Sequence, residues 1–139
     1  MIHIVTDSTA TILPEILAKH SNIHMVSLTL CIDGEYVEES KTTIDDVIAY
    51  SEREKKSIQP STGDFLSVFN SIPKEDSIIC INLTSAVSGT VNGARLAAKQ
   101  CNNKNVAVID SHTTAIGICH MVQDALEFID AGMEFNDIV

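Results

Sequence analysis

The sequence contains no tryptophan and only 4% aromatic residues, so its core has to be built from aliphatic side chains. Basic residues are also few. Nine Lys and Arg stand against nineteen Asp and Glu, giving a formal net charge of −10. That balance argues against non-specific nucleic-acid binding, which depends on clustered Lys and Arg. The apolar runs are far too short to span a bilayer, so no stable membrane insertion is expected. No basic segment precedes the first apolar run, so no signal peptide is expected. The four cysteines, Cys31, Cys80, Cys101 and Cys119, form no CxxC pair. Cys80 and Cys119 sit in apolar segments as reduced core residues, and a cytoplasmic setting fits better than a disulfide framework. His20, His24, His112 and His120 show no metal-ligand spacing, and no metal or other cofactor is expected.

What is present is a chain of 139 residues with 45% hydrophobic content, enough for one domain with a real core. A mean hydropathy of +0.15 argues against disorder. Three strand-like runs each end in a cluster of hydroxyl and acidic residues. Ile2-His3-Ile4-Val5 leads into Thr6-Asp7-Ser8-Thr9, and Ile78–Leu83 leads into Thr84-Ser85-Ala86-Val87-Ser88-Gly89-Thr90. Val106–Ile109 leads into Asp110-Ser111-His112-Thr113-Thr114. Open α/β sheets bind ligands beyond the carboxyl ends of their strands, where a following helix offers free N–H groups and a positive dipole end. The repetition points to a site for a small anionic group.

Between these runs the pattern is that of an α/β chain. A short helix is expected around Leu13–Leu17 with Pro14 in its first turn, then a second strand over His24–Leu30. Asp33-Gly34 marks a turn between Cys31-Ile32 and Tyr36-Val37, a small β-hairpin insertion. Thr43 caps a helix over Ile44–Tyr50, whose charged end runs into Glu52–Lys56 as a solvated tail. Pro60 makes Ser57-Ile58-Gln59-Pro60-Ser61 a loop, and Ser61 or Thr62 caps the next helix, with Phe65 and Phe69 on its apolar face. Further helices are expected over Val91–Lys99 and Ala115–Ala131, the latter ended by Gly132. The fold class is therefore α/β, a mostly parallel sheet flanked by helices. Asn136-Asp137 reads as the opening of one more helix where the sequence stops, so the chain is expected to be one half of a larger unit.

Ser88-Gly89-Thr90 carries two readings. Exposed N–H groups and the Ser88 hydroxyl can hold two carboxylate oxygens, or Ser88 simply caps the helix that follows. Ser57, Gln59 and Ser61 share that ambiguity. Asp7 and Asp110 can cap turns or, if brought together, hold a metal ion. A serine hydrolase would need Ser88, Asp110 and His112, but the Gly-x-Ser-x-Gly elbow is absent. A phosphotransfer domain would need a histidine at the end of the first strand, where Asp7 stands and His3 lies inside the run. A purely structural interaction domain with an acidic surface is the remaining alternative.

The combination is more informative than its parts. Thr6-Asp7-Ser8-Thr9, then Ser57-Ile58-Gln59-Pro60-Ser61, Ser88-Gly89-Thr90, and Ile109-Asp110-Ser111 with Gly117 resembles the DegV family of bacterial fatty-acid-binding proteins, along nearly the whole chain. The resemblance implies the N-terminal domain (1–139) of a two-domain protein that encloses a long-chain fatty acid between its domains. It further implies a non-enzymatic carrier that presents the carboxylate to a separate, ATP-using fatty-acid kinase subunit. Carried over by position, Ser57 and Ser88, with Gly89 and Thr90, would bind the carboxylate. Asp7, Ser8, Gln59, Ser61, Asp110 and Ser111 are the further candidates for the pocket. Two departures stand out: Ile58 replaces a usual serine, and Val91-Asn92 replaces an aromatic-containing stretch.

Overall fold

A computed structural model describes all residues from Met1 to Val139. Four parallel strands form the main sheet, in the order β2-β1-β6-β7: β1 (Ile2–Asp7), β2 (Ile23–Val26), β6 (Ser77–Asn82) and β7 (Val106–Asp110). A second, antiparallel sheet has the order β4-β3-β5: β3 (Thr29–Ile32), β4 (Glu35–Glu38) and β5 (Lys55–Ile58). The helices are α1 (Pro14–Lys19), α2 (Ile44–Ala49), α3 (Thr62–Ser71), α4 (Thr90–Ala98), α5 (Ile116–Asp130) and α6 (Phe135–Ile138). No helix is long and apolar enough to cross a membrane.

Strand alternation divides the core into two layers. Ile4, Ile79 and Ile81 face Ile118, Val122, Ala125 and Leu126, on the α5 side of the sheet. Val5, Ile78 and Cys80 face the opposite way, onto Phe65 and Phe69 of α3 and Ala94 and Ala97 of α4. β1 and β6 are buried on both faces, as parallel strands covered by helices on each side must be. Burial raises the Cys80 thiol well above its ordinary range, and nearby Asp7 adds to the effect. The thiol is therefore a small core group with little thiolate character.

Local signals fix several boundaries. Thr43 and Asp46 form a reciprocal capping box at α2, and Ser61 and Asp64 do the same at α3. The Thr43 N–H and hydroxyl on Asp46 hold its carboxyl below the usual range. Asp33 and Gly34 both take positive φ, 51° and 89°, as a two-residue hairpin turn between β3 and β4 demands.

Two expectations need correction. The single strand expected over His24–Leu30 is two strands in different sheets. The Ser8 hydroxyl accepts the Leu28 N–H at 2.8 Å, and the Ser27 hydroxyl donates to the Leu28 carbonyl. Those bonds hold buried Leu28 between the end of β2 and the start of β3, where the chain leaves the parallel ladder. The charged stretch after α2 is also not a helix tail. Lys55 and Lys56 open β5, and Ser57 and Ile58 belong to that strand rather than to a loop, paired with Leu30 and Thr29 of β3. All four β5 residues are exposed, so their composition carries no burial signal; lysine on an edge strand also limits unwanted pairing.

Candidate functional site

The sheet reverses its direction of winding between β1 and β6: α1 carries the chain from β1 to β2 on one side, and α4 carries it from β6 to β7 on the other. The loops beyond these strands therefore diverge and leave a crevice. The antiparallel sheet closes it from one side through β5. A cavity of about 470 Å³ lies there, bordered by Ser57 and Gln59 from the end of β5 and by Val87, Ser88 and Gly89 before α4. Thr9, Leu28, Glu39 and Leu83 complete its walls.

The β1 and β6 ends are held by Asp7, which is fully buried. One carboxylate oxygen accepts the Leu83 N–H at 2.8 Å and the Asn82 side-chain amide at 3.1 Å. The other accepts the Thr9 N–H at 3.1 Å and the Thr9 hydroxyl. Asp7 thus positions two cavity-lining residues, Thr9 and Leu83, without being at the cavity wall itself. Ser8 is also one layer back, where its hydroxyl donates to Glu39 Oε2 at 2.6 Å.

Ser88 is half-buried. Its hydroxyl accepts the Thr90 N–H at 3.2 Å and shares a 2.8 Å hydrogen bond with the Thr90 hydroxyl. Thr90 is fully buried and fixes that rotamer from behind. Gly89, the residue before α4, donates its N–H to Gln59 Oε1 at 3.0 Å, tying the β5 end to the helix entrance. Ser57 makes no side-chain hydrogen bond within the protein, so its hydroxyl is available to a ligand.

The structure thus gathers Ser57, Gln59, Ser88 and Gly89 around one cavity, with Thr90 behind Ser88. Ser61 is not at its wall, since its hydroxyl caps α3. Asp110 and Ser111 belong to a different loop. Ser85, through its side chain and N–H, together with the His112 N–H, holds the Asp110 carboxyl below the usual carboxylate range. Ser111 closes a local turn with Thr113. Asp110 lies 3.8 Å from His112, but neither meets Ser88, whose hydroxyl partners are both on Thr90, so no catalytic triad is assembled. His3, inside β1, hydrogen-bonds His24 and Asp76 at the opposite end of the sheet. No group of three or more His, Cys, Asp or Glu side chains could hold a metal ion. Sequence reasoning did not name Glu39, Thr9, Leu28, Leu83 and Val87 as wall residues. Thr9 and Val87 stood inside flagged clusters and Leu83 at the end of the strand leading into one; Leu28 and Glu39 carried no local signal.

A second hollow, between Cys31, Asp33, Gly34, Glu54 and Lys56 on the antiparallel sheet, contains none of the motif residues.

Comparisons with known proteins bear on the fold and the family. A DegV domain-containing protein of Staphylococcus aureus strain COL is 37% identical over 140 residues, covering 98% of this chain and 50% of its own. The chain thus spans about half the length of that relative. A DegV domain-containing 15.5 kDa protein of the same species is 34% identical over 130 residues, with 91% of each chain covered. Among solved structures, a DegV family protein from Thermus thermophilus, described by its fatty-acid binding, superposes with a TM-score of 0.85 at 26% identity. The match covers 99% of this chain and 50% of that one. A stearic-acid-binding protein from Eubacterium ventriosum gives 0.88 at 25% identity, and the fatty-acid-binding DegV of Bacillus subtilis gives 0.82 at 26%, each covering 99% of this chain and 50% of its own. The model of the family described as DegV, uncharacterised protein, matches residues 1–139 without remainder. By that match, and by 34% identity to a relative of which 91% is covered, the chain belongs to the DegV family.

Proposed function

We propose that this chain binds a long-chain fatty acid by its carboxylate, with the Ser57 and Ser88 hydroxyls as the hydrogen-bond donors, Thr90 holding Ser88 in position, and the Gly89–Gln59 hydrogen bond joining the two sides of the site. The observation that carries this reading is the convergence of Ser57 and Ser88, from β5 and from the entrance to α4, on one cavity that also has apolar walls at Leu28, Leu83 and Val87. Fatty-acid binding by three solved relatives of the same fold supports it. Burial of the acyl tail supplies the affinity, at about 0.8 kcal/mol per CH₂. A chain of roughly fifteen such groups gains on the order of 12 kcal/mol before association costs. The hydroxyls mainly fix orientation.

In the same reading the chain is a non-enzymatic carrier. It acts in the cytoplasm and presents the carboxylate to an ATP-using fatty-acid kinase subunit. Residues 1–139 form the N-terminal half of the binding unit, so the isolated chain buries only part of the tail and binds more weakly than the double-length relatives.

The test is native mass spectrometry and palmitate titration of the wild type, Ser57→Ala, Ser88→Ala and the double variant. Binding should fall roughly ten- to 150-fold per hydroxyl, the range for a hydrogen bond to a charged group. Palmitate affinity unchanged in the double variant would overturn the assignment. Kinase presentation is tested separately, by ATP-dependent acyl-phosphate formation with the kinase subunit. A palmitate complex that the kinase subunit neither retains nor turns over would limit the function to binding.

A further inference from the structure

We propose that Glu39 sets the charge balance of the bound head group, so that one proton is taken up from solvent when a fatty-acid carboxylate enters the cavity. The inference rests on the fatty-acid reading above and adds a specificity-determining residue to it.

The cavity has one ionisable side chain in its wall, and that side chain is an acid. Glu39 lies in the single 3-10 turn after β4, and its N–H is fixed on the Leu28 carbonyl at 2.8 Å. Its Oε2 accepts the Ser8 hydroxyl at 2.6 Å. Ser8 is itself oriented, because its oxygen accepts the Leu28 N–H at 2.8 Å and leaves its proton for Glu39. Oε1 makes no hydrogen bond within the protein. No lysine or arginine forms an ion pair with Glu39.

The surrounding charges do not offset it. On its own turn, Lys41 pairs with Glu38 at 2.9 Å. From β5, Lys56 lines the separate hollow with Asp33 and Glu54, and Lys55 has no ion pair. At the end of β1 stands a second acid, Asp7, with both oxygens occupied by Thr9, Asn82 and Leu83. The loop from Thr84 to Gly89 carries no ionisable side chain. A ligand carboxylate held at Ser57 and Ser88 therefore shares the cavity with hydroxyls and one fixed carboxylate. Two carboxyl groups sharing a small site do not both stay ionised; they hold one proton between them. The balance is one Glu39 carboxylate, one ligand carboxylate and one solvent proton giving an O–H···O⁻ pair, with no covalent bond made or broken.

The experiment titrates decanoate, soluble enough to saturate a weak site, into wild type and Glu39→Gln by NMR, with decanamide as the uncharged control. In the wild type the decanoate Kd should rise by up to about tenfold per unit between roughly pH 6 and 8, the slope of one linked proton. In Glu39→Gln the profile should be flat, with tighter binding than wild type at the alkaline end. Decanamide should show no pH dependence in either protein. Equally flat decanoate profiles in both proteins would overturn the role of Glu39 and leave the fatty-acid reading standing. Failure of decanoate to bind either protein at any pH would overturn both.

Discussion

Gln59 Oε1 accepts the Gly89 N–H at 3.0 Å, and that bond joins the end of the antiparallel sheet to the entrance of α4. Gly89 has an ordinary φ of −80°, so its lack of a side chain serves space rather than backbone freedom. A Cβ there would stand 2.6 Å from Gln59 Oε1 and 3.0 Å from its Nε2. The clash is with the end of a flexible side chain, so Gly89→Ala should fold with Gln59 displaced. The expected loss is about 1 kcal/mol in urea denaturation, the worth of one partly exposed hydrogen bond. Gln59→Ala should cost a similar amount, and the double variant little more, because both changes remove the same contact.

Asp7 should matter more for stability than any residue at the cavity wall. It is fully buried, and its carboxylate satisfies the Thr9 and Leu83 N–H groups, the Thr9 hydroxyl and the Asn82 amide. Asp7→Ala leaves several of those donors without a partner inside the protein. Each buried orphan costs roughly 1–3 kcal/mol, so a total on the order of 3 kcal/mol or more is expected. Equilibrium unfolding in urea measures it directly. A loss below about 1 kcal/mol would mean that water reaches these donors and that the β1 and β6 ends are less tightly closed than described.

These two residues show what the sequence made legible. The parallel strands were readable because β1 and β6 are continuous apolar runs, and the helix starts near Thr43 and Ser61 because hydroxyl residues precede apolar patterns, with Ser61 and Thr62 left as alternatives that the structure resolves to Ser61. Ser57 and Ser88, which line one cavity, were singled out through the joint order of several motifs, none informative alone. β5 was not legible, because an exposed edge strand made of Lys-Lys-Ser-Ile has no hydrophobic period. The break at Ser27-Leu28 was hidden for a related reason: a side chain far along the chain, Ser8, takes the Leu28 N–H. Glu39 lay outside every motif, and only the fold of β3 and β4 brings it to the cavity. The role of Asp7 was misweighted toward the pocket, since sequence does not reveal which strand-end acid is consumed by backbone donors.

The opposite end of the sheet should respond to pH. His3 links His24 at 3.0 Å and Asp76 at 3.0 Å, and the chain's amino group meets Asp76 at 2.6 Å. Burial, with His3 as a second cause, lowers the His24 pKa below its usual 6.5. The folded state then binds fewer protons at this site than the unfolded chain. His24 therefore contributes stability above pH 6.5 that is lost as pH falls from that value through the lower folded one. Asp76 is depressed by the amino group and His3, so its contribution is present above 3.8 and lost at more acid pH. Thermal unfolding should show a falling Tm between roughly pH 7.5 and 5.5, a slope that His24→Gln should reduce. A slope unchanged in His24→Gln would assign the effect elsewhere.

The Ser88–Thr90 pair decides whether the hydroxyl before α4 is a cap or a ligand group. Thr90 is buried, and its hydroxyl holds the Ser88 oxygen at 2.8 Å, while the Thr90 N–H reaches the same oxygen at 3.2 Å. Thr90→Val keeps the branched shape but removes the hydroxyl; Ser88 keeps the N–H and gains freedom to rotate. If Ser88 only caps, Ser88→Ala should cost about 1 kcal/mol of stability and leave palmitate affinity unchanged. If it also binds carboxylate, Ser88→Ala should weaken palmitate binding beyond any change in stability. Thr90→Val should then weaken binding by a smaller factor, through a less well-held Ser88, and should have almost no further effect once Ser88 is alanine. Stability and palmitate affinity of the two single variants and the double variant separate these outcomes. A Thr90→Val effect on binding that persists undiminished in the Ser88→Ala background would show that Thr90 acts by a route other than the Ser88 hydroxyl.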